Sequence, residues 1–333
     1  MNRSLLLAAA ATVASTSVLA QSNVTIYGRL NTTVERQKTT TLDVAEGGNV
    51  SSSASIWALQ NNASRIGFKG TEDLGGGLKA GFQIEHGFNV DSGTQSQTAF
   101  WARQSEVWLG GNFGTVRLGN FTSEAYYATA DYVSMHNHDT GTSSDALYAY
   151  IGRNTNKIAY RAPEFVKGLS LEAAASLKES TAAGAFNTYD IAANYDMGPL
   201  HLGFGYEKAD DAKQFAVRAL YELGAFTFGG YIQRDKNVFV ADGSRTNVRV
   251  SGMYTMGASE FHLNFGTAGK IGDIADSKAN QFTAGYNYNL SKRTKVYAFY
   301  TKLDVKDGAA ALGLYGDGLK EFSSLAFGVR HNF

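Results

Sequence analysis

The chain contains no cysteine, which removes disulfides and the thiolate ligands on which structural zinc sites depend. It has two prolines, Pro163 and Pro199, so long stretches are free to pair in a sheet. Lys and Arg together number 30, as do Asp and Glu. A balance this even makes no electrostatic case for a nucleic-acid partner. After residue 20 no apolar run approaches the roughly 20 residues that a membrane helix needs. A helical membrane protein is therefore excluded. A membrane β-barrel is not, because its strands need only about ten residues with every second one apolar.

What the chain does have is glycine, 37 residues of it, and an aromatic fraction of 12%. Its first twenty residues, "MNRSLLLAAAATVASTSVLA", combine one positive charge (Arg3), an apolar run from Leu5 to Ala14 and "VLA" before Gln21. That pattern predicts a secretory signal peptide over 1–20, with the mature domain at 21–333. Removing it takes Arg3 and leaves one acidic residue in excess.

Period two recurs along the rest of the chain. Val24, Ile26, Gly28 and Leu30 alternate with Thr25, Tyr27, Arg29 and Asn31. Leu78, Ala80, Phe82 and Ile84 alternate with Lys79, Gly81, Gln83 and Glu85. Leu200, Leu202, Phe204 and Tyr206 alternate with His201, Gly203, Gly205 and Glu207. At the end of the chain Leu325, Phe327, Val329, His331 and Phe333 share one face.

The connections come in two lengths. Seven are short: 71–77, 110–114, 163–168, 196–198, 222–224, 255–259 and 290–293. Eight are longer and polar, near 36–57, 90–99, 123–150, 180–186, 209–213, 237–244, 270–278 and 306–320. Fifteen connections separate sixteen strands, and both ends of the chain then lie on the short-turn side. A soluble β-sandwich also alternates, but it does not sort its connections this regularly. Outer-membrane barrels do, with short periplasmic turns and longer outer loops. Closure would pair the last strand with the first and leave no edge.

"SRIGFKGTEDLGGGLKAGFQIEHGFNVDSG", "RQSEVWLGGNFGTVRLGN" and the closing "AFGVRHNF" resemble the trimeric general porins of Gram-negative outer membranes, particularly the beta-proteobacterial branch. The resemblance runs from about Val24 to Phe333 and is densest from Arg65 to Asn120. It implies an all-β, 16-stranded antiparallel transmembrane β-barrel in the outer membrane. It also implies a homotrimer in outer-membrane lipid that passes small solutes and ions by diffusion. In this family the third long loop, here 123–150, folds into the lumen and constricts it. The final aromatic, Phe333, would serve as an insertion signal read by the barrel-assembly machinery.

Apolar-out parity assigns the lumen face. Ile26 and Leu30 outward put Arg29 inward, and Ile66 and Phe68 outward put Arg65 and Lys69 inward. By the same rule Lys79, Glu85, Arg117, Arg153, Lys157 and Arg161 face the lumen. Arg103 shares parity with Val107 and Leu109 and would point outward, whereas the resemblance implies that it faces the lumen. The inner face of strands one to six therefore reads as basic, with Glu85 the one acid counted. The predicted constriction residues are Arg29, Arg65, Arg103 and Arg153. Acids on the family's third loop face such arginines, and Asp131 and Asp139 are the candidates here. Two features depart from the family. The loop tip reads "SMHNHDTG" where one branch has Pro-Glu-Phe-Gly-Gly, and Asn120 stands where an arginine follows "LG".

No enzymatic motif emerges. There is no G-x-S-x-G, and the glycines of "LGGGLKAG" lack the Gly-Lys-Ser/Thr of a phosphate loop. His136 and His138 beside Asp139 read as solvated loop residues, so neither a metal nor a cofactor is expected. Tyr288, Tyr297 and Tyr300 read as interfacial girdle aromatics. The expected function is a passive diffusion channel with modest anion preference. The alternatives are a channel specific for an organic anion or sugar, and a surface adhesin that forms no pore.

Overall fold

The computed structural model describes residues 23–42, 51–130 and 141–333. Among these, seventeen strand segments form one antiparallel sheet that closes on itself. Two segments belong to a single strand, so the barrel has sixteen. β1 is Asn23–Leu42, and β2 comprises Ser51–Asn61 and Arg65–Gly75. Then follow β3 Leu78–Gly87, β4 Gln104–Gly111, β5 Gly114–Asn120, β6 Lys157–Arg161 and β7 Leu169–Ser176. β8 is Thr188–Met197, β9 Leu200–Ala209, β10 Ala212–Leu223, β11 Phe226–Lys236 and β12 Ser244–Met256. β13 is Ser259–Ala268, β14 Ala279–Asn289, β15 Thr294–Val305 and β16 Leu319–Asn332.

The break in β2 has a local cause. Ala63 takes a left-handed φ of 57°. Asn62 turns inward to donate to the Thr33 hydroxyl and the Tyr297 phenol, at 3.0 and 2.9 Å. Ser64 bonds both the amide and the carbonyl of Asn31. Across the break the register on β1 shifts by one residue, from Thr32 opposite Asn61 to Arg29 opposite Arg65.

The wall is polar within and apolar without. Ile26, Leu263 and Phe327 are 59–60% exposed, whereas Asn31, Gln233 and Thr283 are fully buried. That is the reverse of a soluble sandwich, and it suits lipid outside and water inside. β1 pairs with β16 from Arg29 opposite Asn332 to Thr40 opposite Glu321, so no backbone edge remains at the seam. Phe333 extends that seam. Its amide and carbonyl bond the carbonyl and amide of Gly28, each at 3.1 Å, and its ring occupies the space that a Gly28 side chain would need.

Both prolines fall in short turns, at 162–168 and 198–199. Two sequence expectations are corrected. The connection near 209–213 is a two-residue turn of Asp210 and Asp211, opened by a left-handed Asp210 with φ 52°. Tyr297 does not join a girdle. It is 5% exposed on the inner face, donating to the Asn31 side-chain oxygen at 2.6 Å, because its strand continues the polar-in parity of Lys295.

Candidate functional site

Three of the four predicted constriction arginines come together. Arg29 and Arg65 are direct cross-strand partners on the inner face of β1 and β2. The Arg65 Nε lies 3.7 Å from Glu85, whose other carboxylate oxygen takes the Arg103 Nε at 2.6 Å. Arg103 sits in the bend before β4 and is free of strand parity, so its side chain turns back to the inward Glu85. The cluster continues across the seam. Arg29 donates to the Asn332 side chain, and Arg330 opposes Asn31 on one side and Lys295 on the other.

Arg153 stands apart from this group. It lies in the connection before β6, donating to the Leu177 and Phe186 carbonyls and lying over the Phe186 ring. Lys69 sits over the Tyr27 ring on the inner face, and Lys79 is exposed near the short turns.

The remaining predicted bases are inward, but acids accompany them. Arg117 pairs with Glu106 at 2.8 Å and Glu172 at 3.1 Å and lies 4.1 Å above the Phe121 ring. Arg161 reaches Glu172 and Glu124 at 2.9 and 2.8 Å. Lys157 is buried against Asp190 at 3.0 Å. The expectation that Glu85 is the one acid facing these bases is therefore corrected. Glu35 and Glu106 share the inner face of the same strands, and Glu172 and Asp190 approach from β7 and β8. Glu106 was hidden by the ambiguous parity of β4, Glu172 and Asp190 lie on strands beyond the six considered, and Glu35 lies on β1 past the 24–31 alternation.

The described parts of the long loop between β5 and β6 contact inward side chains of the wall. α1 (Glu124–Thr129) is capped by the Ser123 hydroxyl, which accepts from the Ala125 amide. It lies against β8–β10, where Ala125 and Ala128 are fully buried beside Ala192. Burial raises the Glu124 carboxyl above the usual carboxylate range, although Arg161 opposes that shift.

The later stretch, 141–150, is bolted down by side chains. Gln233 accepts from the Ala149 amide and donates to its carbonyl, at 2.8 and 2.9 Å. Gln281 does the same for the Ala146 amide and the Ser144 carbonyl. Asn247 and Arg245 both donate to the Leu147 carbonyl. Asp145 meets Arg249 at 2.6 Å and the Tyr231 hydroxyl at 2.5 Å, while Thr142 donates to Glu35. Leu147 itself enters an apolar cluster of Leu303, Val305 and Phe322. The helix α2 (Asp307–Ala311) of the last loop joins that cluster.

These wall residues carried a sequence signal in their parity alone, and nothing in the sequence says where a loop lands. Asp131 and Asp139, with His136 and His138, lie outside the described residues. Among the described residues no three His, Asp or Glu side chains gather as a metal site would require.

A family model described as Gram-negative porin matches residues 6–308. Outer membrane porin protein 32 of Delftia acidovorans is 32% identical over 371 residues, covering 98% of this chain and 99% of that protein. Major outer membrane protein P.IB of Neisseria meningitidis is 29% identical, covering 97% and 98%. Among solved structures, one titled an anion-selective porin from Comamonas acidovorans superposes with a TM-score of 0.74 at 28% identity, covering 94% of this chain and all of that one. OmpF of Salmonella typhi, at 17% identity and a TM-score of 0.69, shares the fold.

Proposed function

From the premise that this chain belongs to the Gram-negative porin family, we propose that its channel prefers anions. The protein is an outer-membrane porin, a water-filled barrel for passive diffusion of small hydrophilic solutes, and it performs no catalysis. The observation that carries the anion preference is the basic cluster: Arg65 and Arg103 share the Glu85 carboxylate, Arg29 is the cross-strand partner of Arg65, and Arg330 comes next along the wall. A ring of like charge at a narrow level sets which ion sheds water there at least cost. The anion-selective porin of Comamonas acidovorans supports the same sign.

The loop over 123–150 narrows the lumen in this reading, with Asp131 and Asp139 facing the arginines. Residues 1–20 are the export signal, and Phe333 belongs to the assembly signal read by the insertion machinery. The mature barrel works as a homotrimer in outer-membrane lipid. A second reading, a channel specific for an organic anion or sugar, is favoured by the tyrosines on both limbs of the loop. Tyr126 meets Tyr148 and Tyr150 at ring separations of 5.6 and 5.2 Å, and such rings offer stacking faces to a solute.

The test is the reversal potential of purified protein in a planar bilayer under a KCl gradient. Chloride preference is expected, and cation preference overturns the charge reading. Conductance that saturates with one solute would favour the specific channel.

A further inference from the structure

We propose that Gly203 and Gly205 of β9 are positioning residues that set how far α1 stands from the wall, and thereby the width and charge of the lumen. This rests on the reading that the 123–150 loop narrows the channel. Both glycines face inward, between His201 and Glu207 on the same strand. A Cβ on Gly205 would lie 2.5 Å from the Ala125 carbonyl oxygen and 3.1 Å from its Cα. A Cβ on Gly203 would overlap the Ala128 carbonyl oxygen outright. The obstructing atoms are backbone, so no rotamer change can clear them.

The seat is wider than these two positions. Ala192 of β8 and Ala216 of β10 flank Gly205 at 1% and 0% exposure, and Ala125 and Ala128 meet the glycines from the helix at 0%. Small residues on both sides let the helix lie flush, leaving the cross-section to water.

Which partner would yield to a larger residue is settled by how each is held. β9 pairs along its whole length with β8 and β10, and moving it would break two ladders inside a closed barrel. α1 is six residues long and is held at its ends by Glu124 to Arg161 and by Thr129 to the Tyr148 hydroxyl. The helix gives, away from the wall and toward the channel axis. That movement takes the Glu124 carboxylate away from Arg161, now 2.8 Å distant, and into the path of the ions.

Two readouts should therefore move together. In Gly205→Ala, single-channel conductance falls, roughly twofold if the constriction is at this level, and chloride preference weakens. Adding Glu124→Gln should keep the conductance loss but abolish the change in preference, which a merely structural defect would not separate. Gly252→Ala is the control, since that glycine has only ordinary contacts, at 3.7 Å and beyond, with Phe228. Gly203→Ala carries the larger overlap; if it fails to show the heat-modifiable gel mobility of a folded barrel, Ala192→Val raises the same seat from β8.

Folded Gly205→Ala and Ala192→Val with the conductance and reversal potential of the parent protein would overturn the proposal. Absence of conductance steps in the folded parent protein would instead overturn the channel reading beneath it.

Discussion

Arginines on the inner wall serve two opposite ends. On β12, Arg245 and Arg249 have side chains with 0% exposure, enclosed beneath the loop and paired with Asp235 and Asp145. On the other side, Arg103 and Arg161 keep 24% and 40% of their side-chain surface, although each also has a carboxylate partner. All four turn to the lumen side, Arg103 from the bend before β4 and the others by strand parity, yet water reaches only the second pair. Whether an inward charge faces solute or holds structure is decided by where the loop lies, and strand alternation says nothing about that.

The largest effect should come from the enclosed pair. Arg249→Ala leaves Asp145 buried without its cation and should cost about 3–5 kcal/mol, read as a lower unfolding temperature and an unsteady channel current. Gln233→Leu removes both partners of Ala149 in one step. Leaving a buried amide and carbonyl unsatisfied should cost about 1–3 kcal/mol each, visible in the urea midpoint.

Arg103→Ala should move stability far less, since the Glu85 carboxylate it leaves keeps Arg65 at 3.7 Å. It should instead shift the reversal potential toward zero, and an unchanged potential would contradict the contrast drawn above. The finest test is titration. Protonating Glu124 removes a negative charge, so chloride preference should rise as pH falls. Burial has moved its carboxyl upward, so the rise begins at a higher pH than for an ordinary glutamate, and Glu124→Gln should delete that component. A titration curve identical in the variant would exclude Glu124 as its source.

Much of the wall was legible in the sequence because lipid and water impose a period of two on every strand. Val24 to Leu30, the charged inner face around Arg65 and Arg117 and the seam at Phe327 to Phe333 follow from it, while the count of sixteen follows from the connections between the runs. Legibility ended where the backbone leaves that period. Arg103 and Arg153 sit outside strands, so alternation could not aim them. Tyr297 keeps the period and faces inward, but its aromatic ring reads as a girdle residue; the use of its hydroxyl by Asn31 and Asn62, 266 and 235 positions away, leaves no local sign. The bolting residues Gln233, Asn247, Arg249 and Gln281 carry no sign of their role, because no periodicity links them to the distant stretch 141–150 that they hold.

The seam also governs the order of assembly. Arg29 and Asn332 are hydrogen-bonded at a separation of 303 positions, while consecutive strands are joined by far shorter connections, many of them tight turns. For a flexible chain, bringing such distant ends together costs roughly 3 kcal/mol more than closing a ten-residue hairpin. Hairpins can therefore form as the chain arrives, and the ring must close last. Until Phe333 reaches Gly28, two raw strand edges stay open, so an unfinished molecule is marked by its own sticky margins and a finished one has none.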